Sequence, residues 1–117
     1  MPDVFRTKQW QVTLPKGWRG RGSGPLVILW NPQGVGTINV LSNIGNEAPS
    51  RTGNGREFTG KLIGRTFEHT ARNLFARHWM LLCGGQWIHV HYSCAAKNSE
   101  IDRADVDEIL QSISEAV

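Results

Sequence analysis

His89-Val90-His91 is the short run in this chain whose spacing could do chemistry. Residues two apart on a β-strand share a face, so both imidazoles should project to the same side. His78 lies across Gly84-Gly85 from them. If those glycines form a two-residue turn, His78 pairs with His91, with Cβ atoms about 5 Å apart. Three neutral imidazoles at that spacing, His78, His89 and His91, could hold zinc or copper, with His69 as a conceivable fourth ligand. The competing chemistry is recognition. Met80, Trp87 and the same three histidines, with Arg77 at the rim, have the composition of a protein-interaction patch.

Both readings require the segment 76–94, ARHWMLLCGGQWIHVHYSC, to be a β-hairpin. Gly-Gly suits a type I′ turn, whose two central residues both need positive φ. Cys83 should then pair with Gln86, Leu82 with Trp87, Met80 with His89 and Trp79 with Val90. One face would collect Trp79, Leu81, Ile88, Val90 and Tyr92 as core. The other would collect His78, Met80, Leu82, Trp87, His89 and His91, an unusual set for a solvent side. Cys83 and Cys94 are not opposite each other in this register, so reduced, core-type cysteines are expected.

Lys8 to Leu14 alternates and predicts a first strand ended by Pro15-Lys16-Gly17. Residues 19–24, RGRGSG, read as a loop. Leu26–Trp30 and Val35–Ser42 predict a hairpin around Asn31-Pro32-Gln33-Gly34. Residues 43–56 read as a long polar loop able to cover the histidine face. Phe58–Thr70, interrupted by Gly60 and Gly64, reads as one bulged strand, with a turn at Asn73. Val106, Ile109, Leu110, Ile113 and Val117 recur at helical spacing, with Ser99 or Asp102 as cap. The expected fold is α+β: an antiparallel twisted sheet of about five or six strands with a C-terminal helix packed on one face, residues 1–117 forming a single domain.

Hydrophobic content of 39% against 20% charged residues fits an ordered domain. Neither a transmembrane-length apolar run nor a signal-peptide core is visible, so a cytoplasmic location without membrane partners is expected. The net charge of +3 is divided unevenly. Residues 98–117 hold six acids and one base, and the remainder holds twelve bases and four acids. The arginines are scattered beside glycines, which argues against a nucleic-acid partner. An enzyme is not expected either. Cys94 should face away from the histidines, Ser93 has no recognisable oxyanion loop, and Gly20, Gly22 and Gly24 lack phosphate-loop spacing.

The turns and core aromatics carry a family resemblance. P-x-G-W after the first strand, W-N-P-x-G-V-G-T-I-N-V in the middle, W-x-L before a glycine turn and an acidic helix reaching D-E-I-L-Q-S-I are similar to small bacterial proteins of the PsbP/DcrB-like α/β sandwich type. The positions are Pro15, Gly17, Trp18, Pro32, Gly34, Gly36, Trp79, Gly85, Tyr92, Ile109, Leu110 and Ser112. Fuller versions of that fold carry a helix between the early strands and the later sheet, where residues 43–57 here are rich in Gly and Pro. No cofactor is expected apart from the zinc or copper that the hairpin histidines could hold. The resemblance implies binding of another macromolecule by an accessory, chaperone or immunity-type protein; with the Trp/Met/His face, the expected function is a non-enzymatic protein-binding domain acting on a protein partner or a second copy of itself. A metal-binding module built on the hairpin histidines is the alternative.

Overall fold

Alternating burial along Leu26–Trp30, Thr37–Leu41 and Gln86–Ala95 assigns the two faces of the main sheet. The computed structural model describes residues 3–42, 44–45 and 55–116. In chain order come β1 (Asp3–Arg6), β2 (Trp10–Leu14), β3 (Arg19–Arg21), β4 (Leu26–Trp30), β5 (Thr37–Leu41), β6 (Arg56–Thr59), β7 (Ile63–Ala71), β8 (Leu74–Cys83) and β9 (Gln86–Ala95). A 3-10 turn at Ala96–Asn98, helix α1 (Arg103–Ser112) and β10 (Ser114–Glu115) complete them. Seven strands pair antiparallel in the order β3-β4-β5-β9-β8-β7-β6, and three form a second antiparallel sheet, β1-β2-β10.

The α+β class and the C-terminal helix agree with the sequence. The strand inventory does not, for local reasons. The strand expected over Phe58–Thr70 is two strands, because Gly60 turns the chain and Leu62 is buried in the turn. Arg19–Arg21 is β3 rather than loop, paired to β4 from Arg19–Trp30 to Arg21–Ile28. The expected first strand, β2, is in the smaller sheet between β1 and β10. The helix stops at Ser112: Ile113 is extended (φ −66°, ψ 131°), so Ser114 and Glu115 pair with Gln11 and Trp10. Thus Ile113 reaches the core from outside the helix.

One face of the seven-stranded sheet is packed over its central strands β4, β5, β9 and β8. Val27, Leu29, Ile38, Val40, Trp79, Leu81, Ile88, Val90 and Tyr92 meet Trp10, Val12 and Leu14 of β2 and Val106, Ile109 and Leu110 of α1 in one apolar cluster. The helix alone could not cover so wide a sheet, and the small sheet covers the rest. The connection from β5 to β6 bypasses three strands of the sheet. At its start the Trp87 N–H donates to the Gly45 carbonyl at 2.9 Å, and at its end the Arg65 guanidinium donates to the Gly55 carbonyl. Residues 43 and 46–54 of the expected loop lie outside the described residues.

Asp102 ties the layers together. It occupies the helix N-cap position, yet its side chain makes no capping bond. It is 4% exposed, and its Oδ2 accepts from the Val35 and Gly36 N–H groups, each at 3.1 Å, and from the Tyr92 hydroxyl at 3.0 Å. The glycines of the Pro-Gln-Gly-Val-Gly turn make this approach possible. A Cβ at Gly34 would stand 2.8 Å from the Asp102 carboxylate, and one at Gly36 would stand 2.5 Å from the Tyr92 ring and the Ser93 carbonyl. Burial pushes the Tyr92 phenol well above its ordinary range, so it remains a donor. Asp102→Ala should lower unfolding free energy by about 3 kcal/mol, because it strands three donors beside the core. Urea denaturation monitored by tryptophan fluorescence checks this, and a loss under about 1 kcal/mol would show that the clamp is dispensable.

Candidate protein-interaction face

Gly84 (φ 60°) and Gly85 (φ 82°) form the turn that the residue types demand. The β8–β9 register follows from Cys83 opposite Gln86 through Leu82–Trp87, Met80–His89 and His78–His91. Trp79, Leu81, Ile88, Val90 and Tyr92 are buried, and both cysteines are free and buried beside them. Burial, with Glu115 nearby, pushes the Cys83 thiol up to about 11, the reverse of what a nucleophile needs.

Arg77 is not at the rim of the histidine face. It pairs with Tyr92, so alternation sends it to the opposite side. There it lies 4.7 Å over the Trp79 ring, donates to Asp107 of α1 at 2.7 Å and stands 3.5 Å from Glu68. Glu68 also meets Arg103, and that hydrogen bond, followed by the nearby positive charges, holds its carboxyl below the usual value against the opposing effect of burial. Arg77 therefore helps to dock the helix.

The other expected residues do share the outer face. His78, Trp87, His89 and His91 are half-buried, Met80 is buried at 7% exposure and Leu82 is exposed. The histidines are organised around one ring. His78 lies between Phe67 of β7 and His91 of β9, with ring centroids 4.6 and 4.5 Å away and interplanar angles of 12° and 19°. Its two nitrogens engage two further imidazoles. Nδ1 is 3.0 Å from His89 Nε2, and Nε2 is 3.4 Å from His69 Nε2. A neutral imidazole has one N–H and one lone pair, so His78 donates on one edge and accepts on the other. The result is a chain of three hydrogen-bonded imidazoles with two aromatic faces stacked on its centre.

His78 directs its two nitrogens to opposite edges, Nδ1 towards His89 and Nε2 towards His69. Among the described residues no group of three His, Cys, Asp or Glu side chains is arranged to hold a metal ion. Phe67 was missed in the sequence. The signal was Arg72-Asn73: a two-residue turn there, with Arg72 at φ 57°, pairs Ala71 with Leu74 and hence Phe67 with His78. The expected turn at Asn73 was one residue short of that register.

Around this hub the outer face is apolar. Leu26, Leu41, Ile63 and Leu82 are 47, 38, 60 and 37% exposed, and Ile28 and Trp30 are half-buried. Glu57, Ile63, Gly64, Arg65, Leu82 and Trp87 line a depression of about 350 Å³.

No protein-family model and no curated protein matches the chain. Its fold is similar to a 1.50 Å crystal structure from Bacteroides thetaiotaomicron VPI-5482, with a TM-score of 0.57 and 10% identity over 92% of this chain and 45% of that one. Such an identity speaks for shared fold alone. This chain spans just under half of that protein. Among the described residues no helix is long and apolar enough to cross a membrane.

Burial, and secondarily the charge of His69, lowers the His91 pKa from its ordinary 6.5. The unfolded chain then takes up this proton first as pH falls. The stabilising contribution of neutral His91 is complete above about pH 6.5 and declines as pH falls through that value towards the lower folded pKa. His91→Gln should therefore show a shallower loss of stability between about pH 7 and 5 than the parent. Urea midpoints across that range test it, and parallel curves would remove His91 from the acid response.

Proposed function

We propose that this chain is a non-enzymatic protein-binding domain of accessory, chaperone or immunity type that uses the outer face of its seven-stranded sheet. The carrying observation is the contrast between the two faces. One is packed under α1 and the small sheet, whereas the other leaves Leu26, Leu41, Ile63 and Leu82 exposed around half-buried Trp87 and the imidazoles. Soluble domains rarely leave a broad apolar surface without use, and a rigid sheet that holds an aromatic anchor within an apolar surround suits recognition. The likeness of the turns and core aromatics to PsbP/DcrB-like proteins, most of which act by binding another macromolecule, supports the same reading. The raised Cys83 thiol pKa gives no support to thiol catalysis.

Trp87→Ala should weaken capture of the partner from native cells, or self-association in sedimentation equilibrium, by about tenfold or more while leaving the fold intact. Leu82→Ser, at a more exposed position in the same patch, should weaken it less. Unchanged capture and unchanged oligomer size in both variants would sink this reading.

A zinc or copper module remains the second reading, and one distance favours it. Two nitrogens held about 2.0–2.1 Å from one tetrahedral zinc lie about 3.4 Å apart, and His69 Nε2 and His78 Nε2 are 3.4 Å apart. Metal would have to replace the hydrogen bond between them, with other ligands swinging in to complete the shell. Equilibrium dialysis against zinc should then show one bound ion per chain in the parent and loss of binding in His78→Gln. Binding that is absent, or indifferent to His78, discards the module.

A further inference from the structure

We propose that this chain associates head to tail with itself, the exposed Ile101 of one copy entering the depression beside Trp87 on the outer sheet face of the next. This rests on the protein-binding reading above and names a second copy of the chain as the occupant.

The depression suits an apolar side chain with an acid beside it. Ile63 and Leu82, 60 and 37% exposed, and half-buried Trp87 form its apolar wall. Arg65 stands at its edge. The Arg65 guanidinium donates to the Gly55 carbonyl, yet its Nε is buried and has no acceptor. Among the described residues no ion pair joins Arg65 to Glu57, its register partner on β6. A half-buried guanidinium with an unanswered donor favours a carboxylate arriving beside it.

The matching group is on the opposite side of the same chain. Ile101 is 61% exposed, more than any other large apolar residue among those described. It lies in the turn between Ala96–Asn98 and α1, and its N–H donates to the Asn98 carbonyl at 3.0 Å. The next residue is Asp102, anchored to Val35, Gly36 and Tyr92, so Ile101 projects from a fixed base. The preceding residue, Glu100, bonds Arg103 at 2.9 Å while its side chain remains 72% exposed. An apolar knob flanked by a carboxylate thus faces solvent on the helix side, and an apolar depression flanked by a guanidinium faces solvent on the outer side.

The two cannot meet within one copy, because the sheet lies between them. Between copies they pair unlike patches, so the contact is heterologous: each bound copy still offers one free knob or one free depression. Charge favours the same docking. Residues 98–117 hold six acids and one base, whereas the outer face carries Arg19 and Arg21 besides Arg65. The patch is small, so the association is weak and concentration-dependent.

Sedimentation velocity of the full chain tests this. The weight-average sedimentation coefficient of the parent should rise between about 20 µM and about 1 mM. Ile101→Ser removes the knob and Ile63→Glu spoils the depression. Both positions are exposed, and an unchanged urea midpoint confirms the fold; Ile101→Asn and Leu82→Glu replace either variant that loses it. Each variant alone should associate at least about tenfold more weakly than the parent. An equimolar mixture should regain association to within about threefold of the parent and stop at dimers, because one variant keeps the knob and the other the depression. A parent that stays monomeric, a variant that associates at parental strength, or a mixture that stays monomeric or grows past dimers would overturn the proposal. A monomeric parent that captures a different protein through Trp87 would overturn it while leaving the protein-binding reading intact.

Discussion

The left-handed turn at Gly84-Gly85 is the constraint on which the rest depends. A strand has a two-residue period, so one residue of slippage would exchange the two faces of a ten-residue strand. With the turn fixed, Trp79, Leu81, Ile88 and Val90 enter the core and His78, His89 and His91 leave it. The β5–β9 and β7–β8 pairings extend the same assignment to both sides. Every statement about the imidazole hub is therefore also a statement about two backbone angles some distance away. Side chains with a Cβ seldom adopt such angles, and Gly-Gly adopts them at little cost.

Asp102 performs the corresponding task between layers. A buried carboxylate is expensive unless its oxygens are well satisfied, and three donors converge on Oδ2. Two of the donors are backbone groups of the turn after β4 and the third is the Tyr92 hydroxyl on β9, so the helix start, the turn and the central strand are held together. The acidic C-terminal segment is largely an attachment device. Asp105 accepts from the Trp18 indole at 2.9 Å, and Asp107 and Glu68 hold Arg77 between helix and sheet. Surface ion pairs of this kind contribute little individually, but here they share partners and lie beside aromatic rings.

The hairpin, its register, the buried cysteines and the helix stripe through Val106, Ile109 and Leu110 were legible because local chemistry decided them. Gly-Gly admits few turn geometries, and the apolar periods were strong. The small strands were not legible. Arg19-Gly20-Arg21 has no apolar alternation, and it is a strand because β4 offers an unpaired edge. Ser114-Glu115 is extended because the chain leaves the helix beside β2. Gly60 looked like a bulge and is a reversal, and the buried Leu62 in that turn is a tertiary fact. For the site, the sequence grouped the three histidines but misplaced Arg77, whose alternation had already assigned it to the helix side. It also missed Phe67, because the turn at Arg72-Asn73 had to be known to the residue before β7 could be aligned.

What distinguishes this face from an ordinary amphipathic one is that its polar groups satisfy one another. Lys or Glu at positions 78, 89 and 91 would keep the surface wet and repel a partner's apolar groups. Leu or Val there would extend the apolar patch across the sheet and invite indiscriminate association. Imidazoles arranged edge to edge and face to face remove most of their own hydrogen-bonding demand, so half-burial costs little while they are neutral. The edges of the sheet are managed separately, by a three-residue arginine-bearing strand at one end and the short exposed β6 at the other.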